Sequence, residues 1–214
     1  MSDKETVIQH VHGAFSETEY PGDPCLLGSR EGCEPYEEVG PFEGKDDWTS
    51  LNSEFLDAHY GALSFLSDGG FRFFLPAYLI ADLKEELDTA DPVFHLTHGF
   101  YDSSVEVPTP SGVSVRRFGK SVFVNPRRYG AMTSYDHARY RLSVFTQEEA
   151  QAIAGYLNYK RDLDPHGIEK EQIDAALDLY WLKRAEDAPA AKALKQHLEE
   201  EASFLKGIES GLEE

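Results

Sequence analysis

Residues Arg116 to Arg141 hold the side chains whose types and spacing could do chemistry. Seven bases, Arg116, Arg117, Lys120, Arg127, Arg128, Arg139 and Arg141, fall within this stretch, with Tyr129, Tyr135, His137 and Tyr140 interleaved. A guanidinium offers a planar fork of donors that matches phosphate or carboxylate. A site built from Arg116, Arg117, Arg127, Arg128, Tyr129, His137, Arg139 and Arg141 would take a small anionic ligand, as a binder or as an enzyme. Two other uses of the same residues are open. The arginines would equally neutralise acidic segments of their own chain, a use favoured in a chain this acidic. Arginine and tyrosine are also enriched at protein interfaces.

The charge of the rest of the chain makes this stretch stand out. Thirty-nine acids face twenty bases over 214 residues, for a net charge of −19. Residues 1–50 carry −9, residues 51–90 carry −5 and residues 146–214 carry −8, whereas residues 91–145 carry +3. An acidic surface repels nucleic-acid phosphates and anionic membranes, and it steers basic partners inward. Nucleic acid is therefore not expected as a partner, and a basic protein is.

Other chemistry is thinly signalled. His10 and His12 lie about 200° apart on a helix, so they do not share a face. His95 and His98, three apart, do. No HExxH and no cysteine pair accompanies them, and surface or capping roles are the simpler reading. Cys25 and Cys33 sit in acidic surroundings that disfavour a thiolate. Two cysteines make no disulfide scaffold, and free thiols in a reducing cytosol are favoured over one local bridge. GxSxG, Walker A, GxGxxG and paired CxxC patterns are absent, so no cofactor is expected and enzymatic activity is unsupported.

These residues must be carried by a helical framework. Asp3 can cap a helix over about 3–18, with Val7, Ile8, Val11, Ala14 and Phe15 on one stripe. Residues 20–45, rich in proline, glycine and acids, read as a long irregular loop. A second helix is expected from Asp46–Asp47, carrying Trp48, Leu51, Phe55, Tyr60, Leu63 and Leu66. Ser67 and Asp68 can cap a third, apolar helix through Leu83, in which Pro76 predicts a kink or a new start near Leu75. Its apolar run is shorter than the roughly 20 residues that cross a bilayer, so no membrane segment is expected. Asp91-Pro92 opens a short helix over 92–100. The β-rich runs holding Val113, Val115, Phe118, Val122 and Val124 predict a small hairpin around Gly119. Arg139–Phe145 reads as a strand or an extended connector. Thr146-Gln-Glu-Glu149 is a capping box. Helices over about 168–186 and 190–212 complete the chain.

The fold class is thus mainly α (α+β): a compact helical core domain over 1–164 with a small β-hairpin, and a C-terminal helical extension over 165–214 packed on or near it. No signal core begins the chain, and a cytoplasmic protein is expected.

Pro21-Gly-Asp23 in the loop, Trp48 at the head of the second helix, Phe71–Leu83 and the helix start Phe145-Thr-Gln147 together resemble a bacterial family catalogued as a domain of unknown function. The resemblance covers roughly residues 5–160. It implies no activity and no catalytic residues. The expected function is a non-enzymatic interaction protein, of immunity or inhibitor type, that covers a basic toxin or nuclease. The alternative is the small-anion site at residues 116–141. A homo-oligomer formed through the helix over 190–212 is a third expectation.

Overall fold

The computed structural model describes residues 3–30, 32–101, 104–109, 112–117, 122–125, 130–167, 169–187 and 191–212. They are mainly helical. The helices are α1 (Lys4–Ala14), α2 (Glu34–Val39), α3 (Ser53–Ala58), α4 (Ala62–Phe65), α5 (Asp68–Leu83), α6 (Pro92–Thr97), α7 (Ser134–Arg141), α8 (Gln147–Leu163), α9 (Lys170–Ala176), α10 (Leu182–Glu186) and α11 (Ala191–Leu212), with a π-helical turn Leu177–Trp181 joining α9 to α10.

The helix starts follow local capping. The Asp3 carboxylate accepts from the Thr6 amide. Ser67 Oγ accepts from Gly70 and Asp91 from Phe94. Thr146 and Glu149 close the capping box at the head of α8. Each cap satisfies amides that the first helical turn leaves without a partner.

Helix α5 is the axis of the core. Phe71, Phe73, Phe74, Leu75, Tyr78 and Leu79 are all buried, and α1, α3, α6 and α11 pack around it. It runs unbroken through Pro76, so no new helix start forms near Leu75. Aromatic edges fill the spaces between elements, with Phe42 at 4.8 Å from Phe74 and Phe71 at 5.9 Å from Phe145. Helix α8 is fastened to α5 by Tyr156, whose hydroxyl donates to Asp82 at 2.6 Å, and by Lys160, 2.9 Å from the same carboxylate. Ile173, Ala176, Leu177, Tyr180 and Trp181, within the expected extension, lie in the same buried cluster as Val7 and Phe71. Trp181 Nε1 donates to the Leu96 carbonyl at 2.9 Å.

Several local expectations need correction. The second helix is not continuous. A 3-10 turn Trp48–Ser50 gives way to α3, which restarts where Asn52 accepts from the Phe55 amide, and α3 ends before Tyr60. The loop over 20–45 contains α2, opened by Pro35 at its second position, where the missing N–H costs nothing. The Arg139–Phe145 run is not extended. It completes α7 and continues as a 3-10 turn Leu142–Val144, because Thr133 and Asp136 form a second capping box that starts a helix upstream.

The hairpin around Gly119 is not supported. Among the described residues the strands form two short antiparallel pairings, β1 (Ser104–Thr109) with β2 (Gly112–Arg117) and β3 (Val122–Asn125) with β4 (Gly130–Thr133), and neither joins 112–117 to 122–125. Gly112, at φ 132°, lets the chain reverse beside Thr109, so β2 folds back on the segment before it. Residues 118–121, with Gly119, lie outside the described residues.

Candidate functional sites

The predicted anion site divides. Arg127, Arg128 and Tyr129 lie outside the described residues, as do the side chains of Arg116 and Arg117 on β2. The three remaining residues sit on α7. Arg139 turns outward with its guanidinium over the Tyr135 ring at 5.4 Å. His137 and Arg141 turn the other way, into a cleft of about 450 Å³ between α6 and α7.

Across that cleft stand His95 and His98, which the sequence set aside as surface or capping groups. Their spacing of three places both on one face of α6, and that was the available signal. Burial pushes the His95 imidazole well below its ordinary value of 6.5, to about 3, with the Arg141 charge and His98 adding to the effect. Burial also lowers His98. Arg141 is held in place: its Nη2 donates to the Leu63 carbonyl at 2.6 Å, and its guanidinium lies 4.6 Å over the Phe71 ring. Among the described lining residues, burial thus holds His95 and His98 toward the neutral imidazole, with the Arg141 guanidinium beside them.

A second feature is acidic. Glu17, Glu19, Glu34, Glu37, Glu43 and Asp46 are exposed, and none makes an ion pair among the described residues. Much of the basic charge is spent inside. Arg72 is paired with the buried Glu149 at 2.9 Å. Arg184 Nη2 donates to the carbonyls of Ser143 and Phe145. Tyr36 and Tyr60 are 47% and 53% exposed. They flank the hydrogen bond from the Gly61 amide to the Glu38 carboxylate at 3.0 Å, which ties α2 to the start of α4. Glu17 and Glu19 continue the acidic surface into a larger cleft of about 590 Å³, walled by Tyr20 and Pro21 on one side and by Leu194, Leu198 and Leu205 of α11 on the other.

A hydroxyl, an imidazole and a carboxylate line up elsewhere. Ser143 Oγ is 3.3 Å from His197 Nδ1, and His197 Nε2 is 2.9 Å from Asp68 Oδ2. The residue types are those of a nucleophilic relay, but the geometry serves packing. The Ser143 hydroxyl donates to the Tyr140 carbonyl at 2.6 Å, so its proton is directed away from the imidazole. His197 is 8% exposed and stacked on Tyr140 at 4.4 Å, and neither Ser143 nor His197 lines either cleft described above. A nucleophile needs a reachable oxygen and a base free to take its proton.

Cys25 and Cys33 are not bridged. Among the described residues, no set of three or more His, Cys, Asp or Glu side chains is placed to hold a metal ion, and no helix is long and apolar enough to cross a membrane.

One family model, Family of unknown function (DUF6714), matches residues 3–118. The match spans α1 to α6 and the six unpaired carboxylates named above, and it ends before α7. The helix start Phe145-Thr-Gln147, which carries part of the resemblance, lies beyond it. No curated protein and no solved structure matches the chain.

Proposed function

The chain belongs to DUF6714, a family of unknown function, and we propose that this member is an interaction protein that binds a basic protein partner through the face formed by residues 17–60. One observation carries the reading: six exposed carboxylates within residues 17–46 have no ion-pair partner among the described residues. Carboxylates needed for folding are used visibly, as caps or buried pairs. Asp47 caps the Trp48–Ser50 turn, and Glu149 is closed by Arg72. Carboxylates left in solvent draw a basic surface toward them, and such a surface offsets their charge on docking. Tyr36 and Tyr60 supply amphipathic anchors of the kind that dominate interface energetics. An inhibitor or immunity-type protein that covers a basic toxin or nuclease fits this chemistry.

The test is affinity capture from the source cell with the whole chain as bait, at low and at high salt. A stoichiometric basic protein is expected at low salt, weakened at high salt as screening sets in. It should be lost from a bait carrying Glu34→Gln, Glu37→Gln and Tyr36→Ala. Recovery of no stoichiometric partner at either salt concentration sinks the reading.

A further inference from the structure

We propose that the groove between residues 17–21 and α11 seats an apolar anchor of the basic partner: large aliphatic or aromatic side chains flanked by lysine or arginine. The proposal deepens the partner reading above and rests on it.

The walls give the first argument. Tyr20 and Pro21 stand on one side, and Leu194 and Leu198 of α11 on the other. Tyr20, Leu194 and Leu198 are only partly buried against the core, so each keeps apolar surface for the groove. At the floor the two sides close on Gly69. A Cβ added there would lie 3.4 Å from Pro21 Cβ and 3.7 Å from Leu198 Cδ2, which are ordinary contact distances. Above that floor the groove opens to about 590 Å³, within the range of ligand pockets and enough for more than one side chain.

Charge gives the second. Glu17 and Glu19 line the groove, are exposed and make no ion pair among the described residues. Other charged groups on the lining are engaged within the chain. Arg72 is closed by Glu149, Lys195 lies 3.7 Å from Glu199, and Glu201 holds the Asp68 and Gly69 amides. The described lining thus sets two carboxylates beside an apolar trough, the complement of a basic side chain next to a hydrophobic one. Glu17 and Glu19 also belong to the acidic face over 17–60, so the groove is continuous with the surface proposed to meet the partner.

Rigidity gives the third. The Tyr20 hydroxyl donates to Asp23, and its ring meets Phe73 edge-on at 5.2 Å. The opposite wall is pinned where Glu201 caps α5. Preformed walls lower the ordering cost of binding, and anchors seated in such pockets dominate interface energetics.

The test titrates the full chain with a blocked pentapeptide, lysine at both ends and Leu-Phe-Leu between, while leucine methyl resonances are followed by NMR at low salt. Saturable shifts of Leu194 and Leu198 are expected, with the exposed Leu163 and Leu179, which do not line the groove, unmoved. Two control peptides, one with glutamate at both ends and one with three serines in the middle, should bind more weakly. The double variant Glu17→Lys and Glu19→Lys, at exposed positions, should weaken the lysine peptide about fivefold, the loss of two exposed ion pairs. Ala202→Phe, which fills the groove from α11, is the second variant and should weaken it as well. The proposal is overturned if the lysine peptide gives no saturable shift, if either control binds as tightly, or if both variants bind as the parent does. It is overturned too if the groove methyls shift with protein concentration alone, which would make a second copy of the chain the occupant. Capture of a basic partner by the whole chain, undiminished in both groove variants, would overturn the groove and leave the partner reading standing; capture of none by the parent chain sinks that reading itself.

Discussion

Glu201 of α11 closes the N-terminus of α5 at Asp68, 133 residues away in sequence: its carboxylate accepts from the Asp68 amide at 2.5 Å and from the Gly69 amide at 2.9 Å. One turn earlier on α11, His197 reaches the Asp68 side chain itself at 2.9 Å. Ser67 Oγ takes the Gly70 amide, so three successive donors at the head of the central helix are satisfied. A carboxylate at this end also meets the positive end of the helix dipole. Glu201 is 4% exposed, so this cap is set largely within the seam between α5 and α11. The docking of α11 is therefore specified by polar geometry as well as by Leu194 and Leu198, which pack partly buried against the core, and by the buried Leu205.

Replacing Glu201 by alanine leaves one buried and one part-buried amide without their acceptor. The expected loss is about 1–3 kcal/mol, read as a lower urea midpoint at unchanged slope. Glu201→Gln keeps one acceptor oxygen and should lose less. If Glu201→Ala unfolds at the parent midpoint, α11 is not held by this cap.

Arg72 is the more sensitive position. Its guanidinium holds Glu149 through Nε and Nη2 at 2.9 to 3.0 Å, and Glu149 is 1% exposed. The same carboxylate accepts from Thr18 at 2.8 Å and caps α8. Arg72→Met leaves this buried charge uncompensated, at an expected cost of about 3–5 kcal/mol. Arg72→Met combined with Glu149→Gln should recover part of that loss, because the unpaired charge is gone. A double variant no more stable than Arg72→Met alone would refute the charge explanation.

These two contacts mark where the sequence stops being readable. The caps at Asp3, Ser67, Asp91 and Thr146 were legible because a cap depends on residues three or four apart. The break between Trp48 and Leu66 was not, since apolar spacing continues while Asn52 and the Tyr60-Gly61 corner divide the backbone. Helix α7 was missed although Thr133 and Asp136 spell a capping box, because the alternation of arginine and tyrosine downstream imitates a strand. The pairing of Arg72 with Glu149 spans 77 residues and that of His197 with Asp68 spans 129, separations at which spacing carries no signal. The α6/α7 cleft was half legible: His137 and Arg141 stood out by charge, whereas His95 and His98 joined them only through folding.

Gly99 sets how closely the two walls of that cleft approach. It adopts φ 95°, and an added Cβ would lie 2.7 Å from the Ser134 carbonyl oxygen and 3.0 Å from the Ala138 Cβ. Gly99→Ala therefore meets both a strained backbone and fixed atoms of α7. A loss of about 2–4 kcal/mol is expected from strain and overpacking together. The altered spacing between His98 and His137 should appear in their ring resonances. A variant with parent-like stability and parent-like histidine spectra would show that α6 and α7 are not in this contact.

His95 makes stability depend on pH in a window separate from that of the carboxylates. The unfolded chain takes up a proton there near pH 6.5, whereas the folded chain does so only near 3. Between those values the unfolded state holds the extra proton, so stability falls as the solution is acidified from 6.5 toward 3, and His95 has no effect above that window. At about 1.4 kcal/mol per pK unit the full loss is on the order of 5 kcal/mol. His98, lowered by burial as well, acts in the same direction. The clean measurement lies between pH 5 and 6.5, above the ordinary range of carboxylates, where one such histidine gives a slope approaching about 1.4 kcal/mol per pH unit. His95→Phe should flatten that slope without changing the stability trend above pH 7. An unchanged slope in the variant would mean that this imidazole is charged in the fold despite its burial beside Arg141.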